Sequence, residues 1–185
     1  MKIIIDGNIA CGKSTLIKMI ANSNDLVIPT FLEDLNDWGE WLKLFYSNMD
    51  KYSFGFQMKV LKSHLDKKDI KDGIFERSPL SCQKVFGELL FEDNHMNQLE
   101  WDLTNNFNNS YGWEPTTIIY IKCDPEICYQ RIKERNRIGE ENISLEYLKR
   151  VHSKYEKLYN NMNVITIDGT LHIDTIYDIF INNFI

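Results

Sequence analysis

The chain has 185 residues, 43% of them hydrophobic, and a formal net charge of −6 at pH 7. This length is typical of one domain with a sheet core, so residues 1–185 are predicted to form a single domain. The acidic balance argues against nucleic acid as a partner, and no apolar stretch approaches the length that a bilayer span requires.

The first predicted elements are a strand, a glycine loop and a helix. Residues 3–5 are an unbroken isoleucine run, typical of a strand buried on both faces of a parallel sheet. The sequence GNIACGKST follows, with the spacing G-x-x-x-x-G-K-S, and an apolar helical stripe begins at Leu16. Successive N–H groups in such a loop bind phosphate, whereas a plain connecting turn is the alternative that this context disfavours.

The pattern therefore predicts a site for a nucleoside triphosphate. Lys13 is expected to reach the outer phosphates, and Ser14 is expected to ligate Mg²⁺. The predicted ATP-binding residues of the loop are Gly7, Asn8, Ile9, Ala10, Cys11, Gly12, Lys13, Ser14 and Thr15.

Further strand-like runs at 26–29, 74–75, 118–121 and 164–167 alternate with segments of helical periodicity. This alternation predicts an α/β fold with a five-stranded parallel sheet and helices on both faces. Two apolar stripes are predicted to lie in the core. The first is Leu99, Leu103, Phe107 and Tyr111, and the second is Ile173, Ile176, Tyr177, Phe180, Ile181 and Phe184.

Charged residues follow two of these strands, at the edge where parallel sheets bind ligands. Glu33 is predicted to be the general base for an acceptor hydroxyl, with a solvated acid beside Asp34 as the alternative. Arg77 at a strand end predicts a bound anion or an internal ion pair. Glu76 beside it is expected to hold Mg²⁺ or its waters.

The segment RIKERNRIGEE brings Arg131, Arg135 and Arg137 into seven residues. Asp124 and Pro125 are a typical helix start ahead of it. Arginines at this density suit a transferring phosphoryl group, and a turn at Gly139 would let the segment close as a lid. A solvated helix face is the alternative.

Four cysteines, Cys11, Cys82, Cys123 and Cys128, form no CxxC pair, and the N-terminus carries no signal-peptide pattern. We therefore expect a reduced, cytoplasmic protein.

Four segments together resemble the deoxynucleoside kinase family, of the thymidine kinase 2, deoxycytidine kinase and deoxyguanosine kinase type: GNIACGKST, ERSPLSCQKVF, CDPEICYQRIKERNR and ISLEYLKRVHSKYEKLY. The likeness runs over nearly the whole chain in the right order. It implies a P-loop kinase fold with an arginine-bearing lid, and transfer of a phosphoryl group from ATP, with Mg²⁺, to the 5′-hydroxyl of a deoxynucleoside. The resemblance also implies a homodimer, because members of the family usually dimerise.

The resemblance also implies roles for single residues. Glu33 matches the base, Arg77 the arginine near the 5′-hydroxyl, and Arg131 and Arg135 the lid arginines, so the implied catalytic residues are Glu33, Arg77, Lys13 and Arg135. The implied nucleoside-binding residues are Trp38, Tyr46, Phe56, Gln57, His64, Arg77, Cys82, Phe86 and Glu140. Within this set, Tyr46 and Glu140 match the sugar contacts, Gln57 the base-edge contact and Phe86 the stacking ring. Glu141 remains an alternative to Glu140, because the family usually has two adjacent acids there.

His64 and Cys82 stand where family members that prefer deoxycytidine or purines have Arg and Asp. An uncharged, compact Cys82 leaves room for a 5-methyl group, so thymidine is the favoured substrate and deoxycytidine is tolerated. A thymidylate-kinase-like enzyme is one alternative, although it needs a further basic site for the acceptor phosphate. A non-catalytic kinase-like subunit is the other, although it has no use for the base at Glu33.

Overall fold

The computed structural model describes residues 1–23, 25–137 and 139–183, and in these ranges five parallel strands form one sheet. The strands are β1 (Lys2–Gly7), β2 (Thr30–Phe31), β3 (Gly73–Glu76), β4 (Thr117–Lys122) and β5 (Ile165–Asp168). Their order is β2-β3-β1-β4-β5, so β1 lies in the middle. The predicted α/β fold with a five-stranded parallel sheet is confirmed.

One or more helices follow each strand. They are α1 (Lys13–Asn22), α2 (Leu35–Ser47), α3 (Met49–Leu65), α4 (Pro79–Ser81), α5 (Glu88–Glu92), α6 (Gln98–Tyr111), α7 (Pro125–Arg135), α8 (Leu145–Tyr159) and α9 (Ile173–Asn182). A π-helical stretch, Cys82–Gly87, joins α4 to α5. No helix in the described ranges is both long and apolar enough to span a bilayer.

The core lies on both faces of the sheet because successive side chains of β1 point to opposite sides. Ile3 and Ile5 pack with residues of α1, α7 and α9, while Ile4 packs with Phe75 and with Val151 of α8. All three isoleucines are fully buried. The isoleucine run therefore behaves as the sequence predicted.

The second strand lies later in the chain than its apolar composition predicted. The pairs with β3 are Thr30 with Ile74 and Phe31 with Phe75, whereas residues 26–29 form no strand. Val27 is 98% exposed, and Pro29 offers only its carbonyl oxygen, which accepts from Ile74 N. Because proline has no N–H to donate, the paired residues of β2 begin at Thr30.

The prediction that the stripe on α6 lies in the core is wrong. Leu99, Leu103, Phe107 and Tyr111 are 81%, 43%, 39% and 54% exposed. The helix instead buries the neighbouring face, where the Thr104 hydroxyl accepts from Gln83 Nε2 at 3.1 Å and is fully buried.

The prediction that the stripe on α9 lies in the core is confirmed for its described residues. Ile176 and Phe180 are buried, and Ile173, Tyr177 and Ile181 pack against the core, as predicted. Phe184 lies outside the described residues.

Candidate active site

A cavity of about 980 Å³ opens at the carboxyl ends of β1, β2 and β3. It is lined by every predicted site residue except Gly7 and Asn8. Gly7 is the last residue of β1, and the Asn8 side chain donates to the carbonyl of Leu148 at 2.9 Å, which ties the loop to α8. The lining residues of the predicted phosphate site are Ile9, Ala10, Cys11, Gly12, Lys13, Ser14 and Thr15.

The loop between β1 and α1 bends at two glycines with positive φ. Gly7 has φ +141°, and a Cβ there would lie 2.4 Å from the carbonyl oxygen of Ile121, so only glycine fits. Gly12 has φ +110° and caps α1. Lys13 is 4% exposed, and its ammonium group donates to the carbonyls of Gly7 and Asn8 at 3.1 and 2.7 Å. Its charge is therefore held against the loop, at the cavity wall.

Glu33 and Arg77 meet in this cavity as a nearly buried ion pair. Arg77 Nη1 lies 2.5 Å from Glu33 Oε2, and the two side chains are 8% and 13% exposed. Burial opposes the charge on Arg77, but the Glu33 carboxylate and other nearby acids raise the pKa of Arg77 well above its usual value. The internal ion pair considered from the sequence is thus present, and it faces the cavity rather than the core.

The backbone of Arg77 is unusual as well. Its φ is +61°, a left-handed conformation that costs a non-glycine residue on the order of 1–3 kcal/mol. Nη2 donates to the carbonyl of Gly7 at 3.5 Å, and the guanidinium carbon lies 4.9 Å from the centre of the Phe86 ring. The surrounding contacts hold the guanidinium beside the phosphate loop.

The two side chains that were predicted to hold Mg²⁺ are in contact with each other. Ser14 Oγ donates to Glu76 Oε1 at 2.7 Å, and Glu76 is 4% exposed. No cluster of three His, Cys, Asp or Glu side chains with metal-binding geometry occurs in the described ranges. The pair fits Mg²⁺, which is usually held by one or two carboxylate or hydroxyl ligands together with phosphates and water.

The arginine segment contacts the loop, where Arg131 Nη1 donates to the carbonyl of Cys11 at 3.5 Å. The same nitrogen donates to the carbonyl of Gly169 at 3.0 Å, whereas the other two arginines pair within the segment. Arg135 binds Glu140 through two bonds of 2.8 and 2.7 Å, and Arg137 adds a third at 3.3 Å. The backbone turns at Gly139 with φ +90°. All three arginines line the cavity, and the Arg135 and Arg137 side chains remain 30% and 41% exposed, so the segment is partly solvated as well as ion-paired.

The two candidate acids of this segment differ in position. Glu140 is 6% exposed and lines the cavity near Tyr46. Glu141 is exposed, is absent from the cavity lining, and accepts from its neighbour Gly139 N at 2.8 Å.

The far end of the cavity is aromatic and uncharged. Trp38 meets Phe56 edge to face at 5.6 Å, and the buried Gln57 amide donates to the carbonyl of Cys82 at 2.8 Å. Burial raises the pKa of Cys82 to about 12, so the thiol stays protonated. His64 is 1% exposed, neither ring nitrogen has a hydrogen-bond partner among the described residues, and burial lowers its pKa to about 3. A neutral imidazole with free hydrogen-bonding capacity therefore lines this end.

Sequence reasoning missed several residues around the site. Asp6 is fully buried beneath the loop and accepts from the hydroxyls of Tyr155 and Tyr159. The signal available was their spacing, since side chains four apart on a helix share one face. Leu42 and Tyr147, which also line the cavity, were missed as well. The segment just past Asp168, residues 170–173, forms the cavity rim beside the phosphate loop.

Comparisons with known proteins agree with this geometry. The model of the family described as deoxynucleoside kinase matches residues 3–182. The putative kinase protein 143R of Invertebrate iridescent virus 6 is 34% identical, and the match covers 99% of this chain and 97% of that protein. The deoxycytidine kinase of Homo sapiens is 31% identical, with 84% of this chain and 74% of that protein covered.

The solved structure of a deoxyadenosine kinase from M. mycoides with bound dCTP superposes with a TM-score of 0.87 at 24% identity, and covers 99% of this chain and 98% of that one. The structure of the same kinase with the products dCMP and dCDP gives 0.86 at 23% identity, covering 99% and 97%. At these identities the two structures support the P-loop kinase fold.

Proposed function

Since the chain belongs to the deoxynucleoside kinase family, we propose that it transfers the γ-phosphoryl group of ATP to the 5′-hydroxyl of a deoxynucleoside, with thymidine favoured and deoxycytidine accepted. Residues 1–185 would act as one kinase domain. The observation that carries the proposal is the Glu33–Arg77 pair, which lies between the phosphate loop and the aromatic end of one cavity. A base, an arginine and a phosphate nest are the groups that phosphoryl transfer to a hydroxyl requires.

In the proposed reaction the Glu33 carboxylate takes the proton of the 5′-hydroxyl as that oxygen attacks the γ-phosphorus. A new P–O bond forms, the bond from the γ-phosphorus to the β,γ-bridging oxygen breaks, and ADP leaves. Lys13, Arg77 and Arg135 neutralise the charge on the transferring group. Ser14 and Glu76 are the residues that would hold Mg²⁺, which when bound supplies further neutralisation of the β- and γ-phosphates.

The sugar and base would occupy the remainder of the cavity. Tyr46 and Glu140 are proposed to bind the 3′-hydroxyl, and Glu140 is favoured over Glu141 because it is the one that lines the cavity. Gln57 would pair with the base edge between the rings of Trp38 and Phe86. A thymidylate kinase is disfavoured, because an acceptor phosphate would approach Glu33, whose charge already neutralises Arg77.

Thymidine is proposed because Cys82 and His64 leave the base end without charge. Thymine presents a carbonyl oxygen at the position of the cytosine amino group, and it carries a methyl group that cytosine lacks. A protonated thiol beside Gln57 accommodates the methyl group and provides no strong acceptor for an amino group. The names of several relatives, such as the deoxycytidine kinase of Homo sapiens, support deoxycytidine as the second substrate.

A homodimer and a cytoplasmic location also belong to the proposal. The exposed apolar stripe of α6 supports the dimer, since contiguous apolar surface is typical of a protein interface. The mass of the protein in solution is the check. All four cysteines are buried and free, which suits a reducing compartment.

Product formation with ATP and Mg²⁺ tests the central proposal. We expect turnover with thymidine, lower turnover with deoxycytidine, and none with thymidine monophosphate, as measured by separation of the nucleoside and its 5′-monophosphate. Phosphorylation of thymidine monophosphate alone would support the thymidylate kinase instead. ATP binding without any product would support the non-catalytic subunit.

Cys82→Asp tests the account of base selection. A carboxylate at this position would accept the cytosine amino group and repel the thymine carbonyl, so we expect the thymidine to deoxycytidine ratio of kcat/KM to fall by about 10- to 100-fold. Cys82→Ala is the matched control and should leave the ratio nearly unchanged. For each variant the two kcat/KM values are measured on the same preparation, so an unfolded fraction cancels in their ratio. An unaltered ratio in Cys82→Asp would contradict the account.

A further inference from the structure

The carboxylate of Asp6 is buried directly beneath the phosphate loop. It is fully buried, Oδ1 accepts from Gly7 N at 2.9 Å, and the two oxygens accept from the hydroxyls of Tyr155 and Tyr159 at 2.6 and 2.8 Å. A carboxylate out of contact with water is tolerated only when its oxygens are hydrogen-bonded in this way. Two tyrosines on one face of α8 therefore hold the acid that anchors the start of the loop.

The two tyrosines differ in what else they touch. The Tyr155 hydroxyl also accepts from Arg77 Nε at 3.3 Å, whereas the Tyr159 hydroxyl contacts Asp6 and no atom of Arg77 in the described part of the chain. The Tyr155 ring is fully buried and stacks on Tyr120 at 5.8 Å. Packing thus fixes the oxygen between Asp6 and Arg77.

The direction of the Tyr155 hydrogen bonds follows from its chemistry. A hydroxyl has one proton, and donating it to Asp6 leaves lone pairs as the only partners for the guanidinium. Burial and the Asp6 charge raise the pKa of Tyr155 well above its usual value, so the hydroxyl stays neutral. The chain Asp6, Tyr155, Arg77, Glu33 therefore runs continuously from the phosphate loop to the proposed base.

We infer that Tyr155 is a positioning residue: its hydroxyl orients Arg77, and through Arg77 it aligns Glu33 with the phosphate loop. This inference rests on the proposed function, in which Arg77 and Glu33 act on the acceptor hydroxyl. Alignment of donor and acceptor is a large part of what phosphoryl-transfer enzymes contribute.

The test compares Tyr155→Phe with Tyr159→Phe. Each variant loses one hydroxyl and one bond to Asp6, and only the first loses the bond to Arg77. We expect Tyr155→Phe to lower kcat about 10- to 100-fold, the effect of removing a hydrogen bond to a charged group, with both KM values within about threefold of the wild type. Tyr159→Phe should change kcat by less than about threefold, while thermal unfolding should show a similar loss of stability in both variants.

Equal kcat losses in the two variants would overturn the inference, because they would show that only the support of Asp6 matters. A higher KM for ATP with unchanged kcat in Tyr155→Phe would overturn it as well. If Tyr155→Phe does not fold, Tyr155→His makes the same comparison, since its shorter ring cannot bridge both partners and should lower kcat similarly. Absence of nucleoside phosphorylation by the wild-type protein would instead refute the proposed function.

Discussion

The Glu33→Gln variant is expected to lose about 10²- to 10⁴-fold in kcat with thymidine while it still binds ATP. An amide has nearly the shape of the carboxylate and still accepts a hydrogen bond from Arg77, yet it cannot take the hydroxyl proton. Glu33 is 13% exposed and faces the cavity, so solvent offers a poor substitute for it. ADP formation at saturating thymidine measures kcat, and calorimetric titration measures ATP binding.

Asp37→Asn is the matched control for this variant. Asp37 lies four residues away, pairs with Lys59 at 2.7 Å, and does not line the cavity. Its kcat should remain within about twofold of the wild type, because the change removes only a solvent-screened ion pair. Unchanged turnover in Glu33→Gln would remove Glu33 as the base.

Lys13→Met is expected to weaken both ATP binding and transfer, with kcat/KM for ATP lower by about 10²- to 10³-fold. Lys13 is 4% exposed and its ammonium group is held by two loop carbonyls, so its charge is already in place before the phosphates arrive. Methionine keeps most of the length of the lysine side chain and removes the charge together with the two hydrogen bonds to the loop carbonyls. Steady-state kinetics with ATP as the varied substrate measure the effect.

Lys18→Met provides the comparison, because Lys18 also lines the cavity but is exposed to solvent. Its kcat/KM for ATP should fall by less than about threefold, as expected for a screened charge. Equal losses in the two variants would mean that general positive charge, rather than the loop lysine, accounts for ATP binding.

The buried face of α6 and the start of β2 were both predicted wrongly, for a common reason. A stripe with a period of four identifies a helix, but it does not identify which face of that helix meets its neighbours. On α6 the face with Trp101 and Thr104 packs inward, through Phe91 at 5.3 Å and Gln83, and the leucine stripe stays exposed. The position of β2 is decided in the same way by its pairing with β3, which starts after Pro29.

The features that the sequence by itself determined are local ones. The strand at the isoleucine run, the glycine loop and the start of α1 depend on residues adjacent in the chain, and so does the start of α7 at Asp124 and Pro125. The kinase family could be recognised for a related reason, since each of its motifs is a contiguous segment.

Contacts between distant segments were decided only by the tertiary structure. Glu33 and Arg77 are 44 residues apart, and Asp6 and Tyr155 are 149 apart. From the sequence, Arg77 could equally have met a bound anion or an internal carboxylate, and Tyr155 had no visible partner. Packing of the helices against the sheet brings these groups to hydrogen-bonding distance, and hydrogen bonds and ion pairs form only at such distances.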